Sequence, residues 1–255
     1  MDNTVECIVF FMFNLVYNGW EGLIILGGDI VDTELVTYKE KNVQMSMLEV
    51  ISMIIIIFGI MYGISFLNFL YDFSLYPWYV DYLIPPLTFL TIILIYSPAR
   101  NCCLQLLKSI QFNHFKHYVT IVMTMIVLLI YLALLNLILP TGVSVDEPNI
   151  VIEPTKSEIL IYVVVLTVFA PVWEELLFRG MFFTKLSQRF STLSSTVISA
   201  FIFTLGHPLT LGSVLYILGG GICLAYTYKK TNNLLVPWGI HILNNSFYLL
   251  VNFQL

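Results

Sequence analysis

The sequence predicts an all-α protein, a polytopic transmembrane helical bundle of about eight spans with both termini outside. Three observations predict it. The 255 residues are 58% hydrophobic and only 11% charged, against about 25% charged in a typical soluble domain. The apolar residues fall into segments near the length of about 20 residues that crosses a bilayer core. The basic residues gather in alternate loops between those segments.

In chain order the predicted spans run near 7–26, 47–70, 82–97, 118–139, 158–178, 194–207, 210–228 and 234–252. The first follows Asp2 and Glu6 rather than a basic leader, so it reads as a retained helix and not a cleaved signal peptide. The third is short and contains Pro85-Pro86. The fifth is expected to run past the membrane edge toward residue 188. The sixth and seventh are separated only by the stretch from Gly206-His207-Pro208 to Gly212, which reads as a turn or a broken helix. Residues 1–157 form an N-terminal transmembrane region of about four spans with no clear assignment. Residues 158–255 form a second region that carries the polar motifs. No internal repeat is visible.

Loop charge sets the orientation. Residues 27–46, 98–117, 179–193 and 229–233 hold nine basic residues: Lys39, Lys41, Arg100, Lys108, Lys116, Lys185, Arg189, Lys229 and Lys230. Arg179 is set aside as part of a motif, and the even loops and termini hold only Lys156. The positive-inside rule places the four basic loops in the cytoplasm and both termini outside. The outer loop 140–157 is acidic, with Asp146, Glu147 and Glu153. The outer loop 71–81 is aromatic, with Tyr71, Tyr76, Trp78 and Tyr79, as an interfacial belt should be.

Composition also excludes functions. A net charge of -5 offers no basic surface for nucleic acid. Cys7, Cys102, Cys103 and Cys223 show neither metal-site spacing nor a disulfide framework and read as small apolar residues. Cys102-Cys103, in an interfacial loop, also offer a weak acylation signal. His114 and His117, in a basic loop, read as solvated surface. Asn18 and Glu21 in the first span receive no role. Asn244-Asn245-Ser246 fits a glycosylation sequon but lies in a predicted span, so it is discounted.

The charges inside the spans point to function, because a charge in hydrocarbon costs several kcal/mol. Glu174-Glu175-Leu176-Leu177-Phe178-Arg179-Gly180 puts three of them in six residues. Glu175 and Arg179 lie at i and i+4, share a helix face and can pair. Glu174 is turned about 100° away and is left free to accept a proton. Pro171 should loosen the helix and admit water, and Gly180 should allow close helix packing. His207 follows Phe203-Thr204-Leu205-Gly206, while His241 and Asn245 share one face. Asn245 can orient the imidazole, donate to a developing oxyanion or bind a backbone carbonyl. At 1.5 Å per residue, Glu174 lies about 24 Å from the outer face, His241 about 10 Å from the inner face and His207 about 20 Å from the inner face. The first two agree on the cytoplasmic half, and His207 comes out deeper. Taken singly, Glu175–Arg179 is a structural ion pair and each histidine a satisfied polar contact. The combination is what points to chemistry.

At these residues the chain resembles the CPBP (CAAX protease and bacteriocin-processing, or Abi) family of intramembrane proteases. The family's motifs E-E-x-x-x-R, F-x-x-x-H and H-x-x-x-N occur here in order, as Glu174-Glu175 to Arg179, Phe203 to His207 and His241 to Asn245. Phe178 and Gly180 also match the frequent F-R-G ending. The resemblance covers roughly 158–252, which it marks as the catalytic region, and leaves the first four spans unexplained. It implies a helical bundle with a membrane-embedded site open to the cytoplasm, and hydrolysis of a peptide bond. Its implied partners are membrane lipid and a peptide or protein substrate, whether lipidated or a bacteriocin or signal-peptide precursor.

On that footing the expected mechanism has Glu174 polarise a water beside His207. His241 and Asn245 stabilise the oxyanion, and Glu175–Arg179 holds the helix in register. Zinc on Glu174, His207 and His241 is the rival, since two histidines and a carboxylate make a three-ligand site. The absence of an H-E-x-x-H motif favours metal-free water activation. A non-catalytic bacteriocin-immunity or membrane partner protein is a second functional class. A proton-coupled transporter is a third, although no repeated pair of broken spans is present. The richness in Ile, Asn, Tyr and Lys fits an AT-rich Gram-positive genome and a bacterial cell membrane.

Overall fold

The computed structural model describes residues 45–71, 80–139 and 155–252. The described residues form eight helices and no strand: α1 Met47–Tyr71, α2 Val80–Ile95, α3 Ser97–Lys108, α4 Phe115–Ile138, α5 Lys156–Ser187, α6 Thr192–Leu205, α7 Leu211–Thr231 and α8 Leu235–Asn252. Seven of the predicted spans correspond to α1, α2 and α4 to α8. The first span lies outside the described residues, with Cys7, Asn18, Glu21, Lys39 and Lys41. So do most of the aromatic loop (Tyr76, Trp78, Tyr79) and the acidic residues Asp146, Glu147 and Glu153.

Length divides these helices. Four of them, α1, α4, α5 and α7, are long and apolar enough to cross a membrane, and α2 with α3 makes a fifth if that bent pair counts as one. The 14 residues of α6 extend only about 21 Å, short of a hydrocarbon core. His241, Asn244, Asn245 and Ser246 make α8 too polar to qualify. The described chain is an integral membrane protein with four or five qualifying spans, fewer than hydrophobic segmentation alone suggests.

The stretch expected to be a loop at 98–117 holds α3, bent 107° from α2. Tyr96 is extended and Pro98 opens the new helix, where a missing N–H costs nothing. Ala99, Cys102, Cys103 and Leu106 are buried at helical spacing, while Arg100, Asn101, Gln105 and Lys108 face outward. Cys102 and Cys103 therefore point into the core, at 1% and 4% exposure, and present no thiol for acylation. His117 also differs from expectation. It is buried, and its Nδ1 accepts from Asn233 Nδ2 at 3.0 Å. Asn233 further donates to the Gln111 carbonyl at 2.7 Å, fastening the start of α4 to the α7–α8 turn. His114 is exposed as expected.

Helix α5 is the hub, touching α1, α2, α3, α6, α7 and α8. It starts with a capping box between Thr155 and Glu158 and continues to Ser187, as the sequence predicts. Two π-helical stretches, Val165–Phe169 and Glu175–Phe183, flank Ala170–Glu174. Every residue of the second stretch is buried. The largest cluster of buried apolar side chains joins Val50, Met53 and Ile57 of α1 to Leu177, Phe178 and Phe183 of α5. A second cluster joins Ile121 and Leu128 of α4 to Leu224 of α7 and Ile240 of α8. Gly180 admits α3: a Cβ there would lie 2.7 Å from Leu106 Cδ1. Outward-facing Ile55, Phe66, Val122, Ile126 and Ile130 suit a lipid surround.

Candidate active site

Three elements deliver the predicted residues to one place. Helix α5 carries Glu174, Glu175 and Arg179, the α6–α7 turn carries His207, and α8 carries His241 and Asn245. Glu174, His207, His241 and Asn245 line a single cavity of about 190 Å³. Glu175 and Arg179 stand behind it, each fully buried.

The predicted pair forms, with Arg179 Nη1 donating to Glu175 Oε1 at 2.8 Å. The same oxygen accepts a second bond that the sequence did not disclose, from His241 Nδ1 at 2.8 Å. This bond fixes the imidazole and turns Nε2 toward Glu174 Oε2, 3.7 Å away. Arg179 is held from two other sides. Its Nη2 donates to the Gly221 carbonyl at 3.3 Å, and its guanidinium carbon lies 4.3 Å from the centre of the Phe203 ring. A Cβ at Gly221 would lie 3.1 Å from Ala200 Cβ, so glycine there lets α6 and α7 meet closely. Buried charges need such partners, because an unpaired one in low dielectric costs several kcal/mol.

Glu174 contrasts with its neighbour. Its Oε2 is buried and makes no hydrogen bond. A carboxylate oxygen that accepts nothing retains its capacity for a water molecule. His207 presents the complementary group. Its Nδ1–H donates to the Phe203 carbonyl at 3.0 Å. In the neutral ring that leaves Nε2 as an acceptor. Phe203 sits between the parts, its ring 4.6 Å from His207 and 5.9 Å from His241, centre to centre. On the far side, the Tyr62 hydroxyl of α1 donates to the Leu205 carbonyl and steadies the end of α6.

Asn245 takes the third of its sequence-level options: its Nδ2 donates to the Leu166 carbonyl at 2.9 Å. The backbone explains why that carbonyl is free. Ala170 N–H bonds to Val165 in π fashion, and the next residue, Pro171, has no N–H to give. Proline thus opens the helix where the side chain of Asn245 closes it again.

Among the described residues no three His, Cys, Asp or Glu side chains are placed to hold one metal ion. Glu174, His207 and His241 share a cavity without forming a ligand set.

Sequence reasoning missed Tyr82, Tyr162, Tyr216, Asn244 and Tyr248 on the cavity wall. Asn244 carried one usable signal, its place three residues after His241 on α8. The tyrosines carried none that separates them from an interfacial belt.

A carboxylate–imidazole cluster enclosed by apolar helices defines a class, the polytopic membrane proteins with an active-site-like cavity inside the bundle. Within it, residues 156–247 match the family described as type II CAAX prenyl endopeptidase Rce1-like. The match takes in all three motifs and covers well under half of the chain. No curated protein and no solved structure gives a significant match. The family is one of CAAX-type intramembrane proteases, and a protease acts on a peptide or protein.

Proposed function

We propose that this protein is an intramembrane endopeptidase that hydrolyses a peptide bond by metal-free activation of water. One observation carries the reading. Residues from α5, the α6–α7 turn and α8 converge on one cavity, where the Glu174 carboxylate keeps an oxygen with no hydrogen bond. Glu174 takes the proton from a water that His207 Nε2 helps to orient. The oxygen attacks the scissile carbonyl. His241, aligned by Glu175 and Arg179 and carrying a proton on both ring nitrogens, stabilises the oxyanion through Nε2–H together with the second amide hydrogen of Asn245. The proton then passes from Glu174 to the leaving nitrogen, so the base is regenerated. Pre-placed donors of this kind typically contribute about 3 kcal/mol each. The site opens to the cytoplasm of a bacterial cell, and its substrate is a membrane-associated peptide or precursor.

Glu174→Gln keeps the shape of the side chain and removes the base. Cleavage should fall about 100- to 10,000-fold with membrane insertion unchanged. The measurement is a mass-spectrometric comparison of membrane peptides from cells expressing either form equally. Undiminished cleavage in the variant would refute the role of Glu174, and equal biological activity without cleavage would favour a binding protein. Chelation of the purified wild type should leave turnover intact; loss restored by zinc would replace this mechanism with a metal-dependent one.

A further inference from the structure

The cavity has a second amide whose donors no family motif accounts for. Asn244 lies on α8 beside Asn245, and the two side chains flank the direction of His241, about 60° to one side and 40° to the other. Asn245 already spends one amide hydrogen on Leu166. Asn244 is committed at its other end: the Tyr216 hydroxyl donates to its Oδ1. No described residue accepts from Asn244 Nδ2. Both residues line the cavity, so two oriented N–H donors face the space where a substrate would lie.

Tyr216 is itself held. Its ring stacks on Tyr131, with centres 6.4 Å apart and planes at 18°. The Tyr131 hydroxyl donates to the Leu215 carbonyl at 2.8 Å. Gly219 makes room for that ring, since a Cβ there would collide with it. A chain of contacts therefore runs from α4 through α7 to the carboxamide on α8. Rigid donors of this kind are what a site needs to bind a carbonyl without ordering cost.

We propose that Asn244 is a substrate-binding residue that donates to a backbone carbonyl beside the scissile bond, with Tyr216 as its positioning residue. This rests on the hydrolytic reading of the site. It also specifies the substrate conformation. Carbonyls of an intact transmembrane helix are internally bonded, so the group recognised is a locally unwound, apolar peptide segment.

The test measures binding separately from cleavage. A fluorophore-labelled peptide with a central Leu-Ala stretch, blocked at both ends, is titrated against the Glu174→Gln protein in bilayers. Adding Asn244→Ala should raise Kd roughly three- to tenfold, the worth of one hydrogen bond. Tyr216→Phe keeps the stacked ring and should act in the same direction by less. The two together should be no worse than Asn244→Ala alone, because they remove one interaction. A merely structural role would lower the melting midpoint and give additive losses. A Kd within about twofold of the parent, or full additivity, overturns the proposal even if the wild type cleaves. If binding depends on Asn244 and the wild type cleaves nothing, only the hydrolytic reading fails. Absence of any binding overturns both. Should Asn244→Ala not insert, Tyr216→Phe, which removes a single hydroxyl, decides by itself.

Discussion

Glu175 joins the two histories of this site, because one oxygen accepts from both Arg179 and His241. Helix phase alone assigns it to Arg179 and to structure. That assignment is right as far as it goes, since i and i+4 neighbours meet whatever surrounds them. The bond to His241 was illegible because it joins residues 66 positions apart, and no spacing rule reaches that far. The double role yields a prediction with two readouts. Glu175→Ala strands a fully buried guanidinium and should cost about 3–5 kcal/mol in thermal or denaturant unfolding in detergent. Combining it with Arg179→Met removes both charges and should recover much of that stability. Activity should not return, because His241 still lacks its orienting acceptor. Recovery of stability and cleavage together would show that Glu175 acts through Arg179 alone.

The helices themselves were largely legible, because a long apolar run between charged loops has few alternatives. What hydropathy could not see was the change of direction at Tyr96 and the amphipathic α3 beyond it. Its polar face makes 98–117 read as a loop, while its buried stripe of Ala99, Cys102, Cys103 and Leu106 emerges only from a 3.6-residue count. Gly180 was the accurate element-level expectation: it marks where α5 lets another helix in, and the neighbour is α3. Gly180→Val should force the side chain of Leu106 aside and destabilise the bundle by about 1–3 kcal/mol. Leu106→Ala on that background should restore part of the loss, although it is destabilising alone. Additive losses in the melting midpoint would mean that α3 is not packed against Gly180. The π-helical turns could not be foreseen from composition, yet they decide the site. Val165–Phe169 frees the Leu166 carbonyl for Asn245, in the manner of π-bulges at functional positions.

At the scale of the molecule, depth is where sequence and structure part. Glu174 measured from the outer face and His207 measured from the inner face disagreed. Counted instead from the shared turn at 188–191, Glu174 lies about 20 Å up α5 and His207 about 22 Å up α6. The two are level because α5 overshoots its apolar segment to Ser187 and α6 is too short to cross. His241 then comes up to them because the α7–α8 turn is itself buried, with Asn233 and Leu234 at 1% and 0% exposure. The tie between that turn and the 109–117 stretch through Asn233 also sets two of the basic loops at one end of the bundle. Both are loops that the charge count assigns to the cytoplasm. Single cysteines introduced as Lys230→Cys and Glu147→Cys test this on intact cells with a membrane-impermeant maleimide, against a parent in which Cys7 is replaced. Glu147→Cys should label at once, and Lys230→Cys only after permeabilisation. The reverse pattern would turn the bundle over and put the basic loops and the α7–α8 turn outside the cell.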